Sequence, residues 1–129
     1  MTFAHRLTVR FSDCDMYGHV NNATYLTFLE CARVQLLREV GLPLEELIAS
    51  GLFLVIVGIE IQYKEAAKMG DLLEVATTPL EMTRIGGVFL QEVKRDEVLI
   101  AAAKVKWVCV DGSGKPARLP EKLQLMKKT

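Results

Sequence analysis

One helical repeat, Ala23 to Val40, is followed by four consecutive strand patterns with no second long helix among them. Leu26, Leu29, Arg33, Leu36 and Val40 recur at helical spacing, and Phe28, Cys31, Ala32 and Leu37 widen the apolar stripe. Gly41 stops this helix, and Pro43 opens a shorter one that runs to about Ser50. The strands expected after it are Leu52 to Tyr63, Leu72 to Thr83, Val88 to Lys94 and Val98 to Val110. Pro79 interrupts the second of these and predicts a bulge or an edge. On the first, Val55, Val57, Ile59, Ile61 and Tyr63 are expected to share a face. Before the helix, Leu7, Val9 and Phe11 alternate with Arg6, Thr8 and Arg10, the period of a half-buried strand. Leu119 to Met126 adds a short terminal helix.

Helices segregated from a run of hairpin-connected strands predict an α+β fold, with an antiparallel sheet of about five strands wrapped around one long helix. With 129 residues, half of them apolar, a single domain spanning 1–129 can bury a full core. Several strands read as apolar on both faces, whereas one helix covers only one face. The remainder predicts self-association, a symmetric homodimer in the simplest case and a homotetramer by further pairing.

Sixteen basic and sixteen acidic residues cancel, which removes the bulk field behind non-specific binding to nucleic acid or anionic membranes. Cys14, Cys31 and Cys109 are an odd set without metal-ligand spacing, and no basic segment leads into an apolar run at the start. Reduced thiols and a cytoplasmic location are the expectation. The longest apolar run, Leu52 to Ile59, is too short to span a bilayer.

Chemistry-bearing residues concentrate between the first strand and the long helix. Asp13, Asp15, His19, Asn21 and Asn22 fall within one polar stretch that also holds Gly18. A helix start leaves its first N–H groups unpaired and carries partial positive charge, so it can polarise a carbonyl or hold an oxyanion. A carboxylate delivered to the same place suits acyl chemistry. Asn21 or Asn22 can equally cap the helix. A calcium loop is rejected, because the positions that require an oxygen ligand hold Tyr17 and Thr24. A Cys14 nucleophile is rejected as well: two aspartates flank it, where a catalytic thiolate needs electropositive surroundings. His5 reads as a surface strand residue.

Together with this order of elements, Phe11-Ser12-Asp13-Cys14-Asp15 followed by Gly18, then His19-Val20-Asn21-Asn22 with Tyr25 and Glu30, resembles the hotdog-fold thioesterases of the 4-hydroxybenzoyl-CoA thioesterase type. Tyr63, Ala67, Gly70-Asp71 and Leu73-Glu74-Val75 are similar to that family's central strand and turn, and Val108 to Asp111 with Leu119-Pro120 to its end. The resemblance implies hydrolysis of a small-to-medium acyl- or aroyl-CoA, with coenzyme A as part of the substrate and neither a cofactor nor a metal. It implies that Asp15 is the catalytic carboxylate, as general base or nucleophile, that a helix-terminal N–H at about Asn22 polarises the carbonyl, and that His19 matches the histidine of the plant acyl-ACP branch. Asp13, Gly18, Asn21, Tyr25 and Glu30 are then candidate substrate-site residues, and Asp13 is also a candidate acceptor for N–H groups of its own loop. Lys64 and Arg84 are candidates for the phosphates of coenzyme A. Tyr17 stands where the acyl-ACP branch has an asparagine, and Ala66 where a proline is common. An acyl-ACP thioesterase and a non-catalytic acyl-CoA-binding module are the alternatives.

Overall fold

The computed structural model describes residues 1–128. In chain order it contains β1 (Phe3–Thr8), a 3-10 turn (Phe11–Asp13), α1 (Thr24–Glu39), α2 (Leu44–Ala49), β2 (Phe53–Tyr63), β3 (Leu72–Met82), β4 (Gly86–Arg95), β5 (Val98–Val110) and α3 (Glu121–Gln124). The strands form one five-stranded sheet in the order β1-β3-β4-β5-β2, and every pairing is antiparallel. This is the expected α+β architecture, with α1 as the one long helix. Among the described residues no helix is long and apolar enough to cross a membrane.

Strand alternation builds the core. Leu73, Val75 and Thr77 of β3, Phe89, Gln91 and Val93 of β4, and Ala101, Ala103, Val105, Trp107 and Cys109 of β5 are all buried. The register aligns them: Thr77 opposite Gln91, Val93 opposite Ala101, Phe89 opposite Val105. Onto this face α1 lays Tyr25, Phe28, Leu29, Ala32, Leu36 and Leu37. The helical stripe is therefore rotated from the expected one. Leu26 is 39 % exposed and Cys31 is exposed, because Tyr25 and Phe28 carry more apolar area to the sheet.

Both helices of any length end alike. The Gly41 N–H donates to Arg38 O and the Leu42 N–H to Leu37 O; after α2, the Gly51 N–H donates to Ile48 O and the Leu52 N–H to Leu47 O. These are Schellman closures, and Gly41 (φ 82°) and Gly51 (φ 81°) supply the left-handed residue each requires.

Two local expectations change and a third holds. Strand β1 ends at Thr8, and Phe11 lies in the 3-10 turn, 83 % exposed, because the Val9 N–H and C=O already bond to Asp71 and Gly70 and the chain then turns away. The register of β2 on β5 slips between Ile56 and Gly58, so Val57 is a bulge. A bulge inverts the alternation: Leu54 packs against the core before it, and Ile59 and Ile61 after it, so Val55 and Val57 do not share a face with them. In β3 the register slips between Pro79 and Glu81, the bulge that the proline predicts.

Candidate active site

Residues 10–23 connect β1 to α1 and are held largely by backbone hydrogen bonds. The Val9 N–H donates to Asp71 O and the Gly70 N–H to Val9 O, both at 2.9 Å, which anchors the loop to the β2–β3 connection. Asp13 is 5 % exposed. Its Oδ2 accepts the Arg10 N–H at 2.8 Å, its Oδ1 accepts Arg10 Nη2 at 3.3 Å, and its carbonyl accepts the Asn21 N–H at 2.9 Å. Buried acceptors require such donors.

Asp15 opens a tight turn. Its N–H donates to His19 O at 2.9 Å, its carbonyl accepts the Gly18 N–H at 3.0 Å, and its Oδ1 accepts the Tyr17 N–H at 2.9 Å. Gly18 supplies the left-handed residue, φ 78°, that closes it. Beyond the turn, the Val20 N–H donates to Ala67 O at 2.9 Å and His19 forms a bridge with Lys68. The chain therefore lies against the β2–β3 connection on both sides of Asp15. That connection has its own clamp: Asp71 Oδ2 accepts the Lys68 N–H at 2.9 Å and Arg95 Nη1 at 2.8 Å, and the same Nη1 donates to Ala66 O at 3.1 Å. The Lys68 N–H, followed by Arg95, holds the Asp71 carboxyl below its ordinary value.

Helix α1 begins with an accounting of N–H groups. Asn21 Oδ1 accepts the Ala23 N–H, and Asn21 O accepts the Thr24 N–H, each at 2.9 Å. Leu26 N–H donates to Ala23 O at 3.1 Å. Among the described residues, the Asn22 and Tyr25 N–H groups take no hydrogen bond. These are the open donors of the helix tip. Burial pushes the Tyr25 phenol above its ordinary value, with the Ala67 backbone opposing.

Asp15, His19, Asn22, Tyr25, Tyr63 and Lys64 all line one open cleft of about 410 Å³. The residue that carries the half-buried carboxylate and those of the helix tip with open donors thus line the same open cleft. Of the other residues singled out by sequence, Asp13 and Asn21 shape the loop from behind, and Gly18 turns it. Glu30 lies outside this cleft, on a separate, largely apolar cavity of about 260 Å³ with Arg33, Phe89 and Trp107. Arg84 is in the β3–β4 turn, beyond the far end of an eleven-residue strand that starts beside the cleft; its carbonyl accepts the Leu119 N–H at 2.8 Å. At about 3.3 Å per residue that strand is on the order of 35 Å long, so Arg84 and Asp15 of one protomer serve different ends of the sheet. Tyr63 is a cleft residue to which sequence reasoning assigned no role, as are Tyr17, Val20, Glu65 and Ala66. Its signal was its place at the end of the strand that precedes the Ala66–Asp71 turn.

Comparison with known proteins agrees with this fold. The model of the thioesterase-like superfamily matches residues 9–125. A Haemophilus influenzae protein named acyl-CoA thioesterase YbgC is 34 % identical over 124 residues, covering 95 % of this chain and 91 % of its own. The Escherichia coli long-chain acyl-CoA thioesterase FadM is 32 % identical over 130 residues, covering 95 % of this chain and 98 % of its own. Among solved structures, the 1,4-dihydroxy-2-naphthoyl-CoA thioesterase Slr0204 from Synechocystis superposes with a TM-score of 0.90 at 27 % identity, over 98 % of this chain and 95 % of that one. The match begins at the last residue before the Asp15 loop and runs through the sheet to α3, so it takes in the whole cleft: the chain belongs to the thioesterase-like superfamily.

Proposed function

We propose that this protein is a thioester hydrolase acting on acyl-coenzyme A, with a small-to-medium acyl or aroyl group of the kind handled by the 4-hydroxybenzoyl-CoA thioesterase type. The observation that carries the reading is the convergence of Asp15 and the open Asn22 N–H on one cleft. Water attacks the thioester carbonyl carbon while Asp15 takes its proton; the oxyanion is held by the Asn22 N–H; the C–S bond then breaks and the proton passes to the departing thiolate. The alternative in which Asp15 itself attacks, giving a mixed anhydride that water opens, uses the same geometry. His19 and Lys64, on the cleft wall, orient water and meet the phosphates of coenzyme A.

Two relatives named for acyl-CoA substrates favour coenzyme A over an acyl carrier protein as the leaving group. A carboxylate placed beside the helix tip favours turnover over mere binding, since holding a thioester needs no base. The working unit in this reading is a homodimer, with a tetramer as its further assembly. The outer edge of β2 carries no strand, and Phe53, Val55, Ile56 and Val57 on it are 39 %, 42 %, 36 % and 54 % exposed. Pairing two such edges extends the sheet and covers these side chains. It also offers Glu30 and Arg84 a route to the cleft of a neighbouring protomer.

The test is steady-state hydrolysis of a panel of acyl- and aroyl-CoAs, and of acyl-ACP, by wild type and Asp15→Asn. Loss of turnover in D15N with retained substrate binding is expected. Equal rates remove Asp15 from the mechanism, and tight binding without any release of thiol by the wild type replaces the hydrolase with a binding module.

A further inference from the structure

The residue offering the candidate oxyanion donor is tied from outside its own loop. In a helix one residue longer at this end, the Asn22 carbonyl would receive the Leu26 N–H. That N–H goes to Ala23 O instead, so the helix leaves the Asn22 carbonyl unclaimed. The Tyr63 hydroxyl donates to it at 2.8 Å, from a position 41 residues later at the last residue of β2. The Tyr63 ring packs edge-on against Tyr25, 5.4 Å between centroids, and Tyr25 in turn packs against Phe28 at 5.9 Å. Tyr63 is 46 % exposed. A buried phenol needs an internal partner, whereas an exposed one has water. Desolvation therefore does not force this hydroxyl onto a backbone carbonyl.

We infer that Tyr63 is a positioning residue for the hydrolysis proposed above: its hydroxyl pins the Asn22 carbonyl, and so fixes the direction of the Asn22 N–H as charge develops on the thioester oxygen. The inference rests on that hydrolase reading and on Asn22 as the donor. Helix ends fray, and a donor that must reorganise during the reaction loses the advantage of being preset. Asn21 Oδ1 to the Ala23 N–H and Asn21 O to the Thr24 N–H are internal to the segment and move with it, and the Val20 N–H on Ala67 O holds it to the β2–β3 connection two residues earlier. Among the described residues, Tyr63 is what ties the Asn22 carbonyl itself to a strand of the sheet. It transfers no proton in this scheme.

Tyr63→Phe removes the hydroxyl and leaves the ring on Tyr25. Wild type, Y63F and D15N are assayed together for kcat, KM and pH dependence. Affinity for an alkyl-CoA thioether, which lacks the carbonyl, is measured alongside. The expected result is a fall in kcat of about tenfold to a hundredfold in Y63F, the scale of a misplaced catalytic geometry. KM and thioether affinity stay within about twofold, and the apparent pKa values of the pH profile do not move. An active wild type, a dead D15N and a Y63F at full kcat would overturn the role of Tyr63 while leaving the hydrolase reading in place. A parallel loss of kcat, thioether affinity and melting temperature in Y63F would make the hydroxyl a fold support and overturn it too. A wild type without turnover would remove the hydrolase reading and this inference together.

Discussion

Arg33 Nη1 donates to Gln91 Oε1 at 3.0 Å, across the interface between α1 and the middle of the sheet. Gln91 is fully buried, and its Nε2 donates both to Leu29 O and to Thr77 Oγ1 at 3.0 Å. Those two bonds fix the amide so that its oxygen faces the guanidinium. Burial draws the Arg33 pKa below its ordinary value, and the charge of Glu30 opposes this. A hydrogen-bonded polar network in which every donor and acceptor group of the Gln91 amide is engaged thus sits inside a largely apolar core and sets how α1 seats on β3 and β4.

Gln91→Leu is expected to destabilise the fold by about 2–3 kcal/mol, because it leaves Thr77 and the Leu29 carbonyl without their buried donor. Gln91→Glu places a carboxylate beside Arg33, yet it is expected to be no better. It has no N–H for Leu29 O and sets two acceptors face to face. Urea denaturation of both variants checks this; a Q91E protein more stable than wild type would show that the ion pair outweighs the lost donor.

Asn22→Pro and Asn22→Ala, compared with each other, separate the proposed donor from its side chain. Asn22 is the second residue of the turn closed by the Thr24 N–H on Asn21 O, a position that tolerates proline. Proline removes the N–H together with the side-chain amide, whereas alanine removes the amide alone and is expected to keep most of the activity. In the proline variant, loss of about a hundredfold or more in kcat is expected, the scale of one oxyanion donor, with a melting temperature near that of wild type. Retained kcat would shift the donor to Tyr25.

Asp71 sets an acid limit on the β2–β3 connection. Its folded pKa is depressed, so its contribution is complete above the unfolded value of about 3.9 and is lost as pH falls through the folded one. The stability difference between wild type and Asp71→Asn should be constant from neutral pH down to about pH 5 and shrink below about pH 4. Thermal melts of both proteins across that range measure it. A difference that grows on acidification would contradict the assigned cause.

Val57→Lys is expected to block edge-to-edge pairing of β2, since a lysine on an open strand edge resists addition of another strand. Light scattering should then report half the wild-type mass. If the two-protomer reading holds, hydrolysis falls with it. A wild type that is already monomeric at micromolar concentration would remove the β2 edge as the interface.

Much of the fold was legible because strand and helix periods survive in single stretches of sequence. The run Val98 to Val110 appears as β5 with those bounds, and Pro79 marks the bulge in β3. The polar loop could be recognised as chemically loaded, since Asp13, Asp15, His19, Asn21 and Asn22 lie within ten consecutive positions. The phase of α1 was not legible: periodicity permits several stripes, and only the sheet decides that Tyr25 turns inward while Leu26 turns out. The β2 bulge at Val57 was hidden for a related reason, because an all-apolar run shows no break in alternation when one residue is skipped.

By itself the sequence determined the succession of one long helix and hairpin-linked strands, the helix-ending glycines, and the clustering of two aspartates just before a helix start. It did so because these depend on neighbours only a few positions apart. Tertiary structure alone decided that Asp13 is buried on Arg10 while Asp15 opens onto a cleft, that Arg84 lies at the opposite end of the sheet, and that Tyr63 reaches the tip of α1. These relations join residues far apart in the chain, and the antiparallel register that brings them together is written in no local pattern.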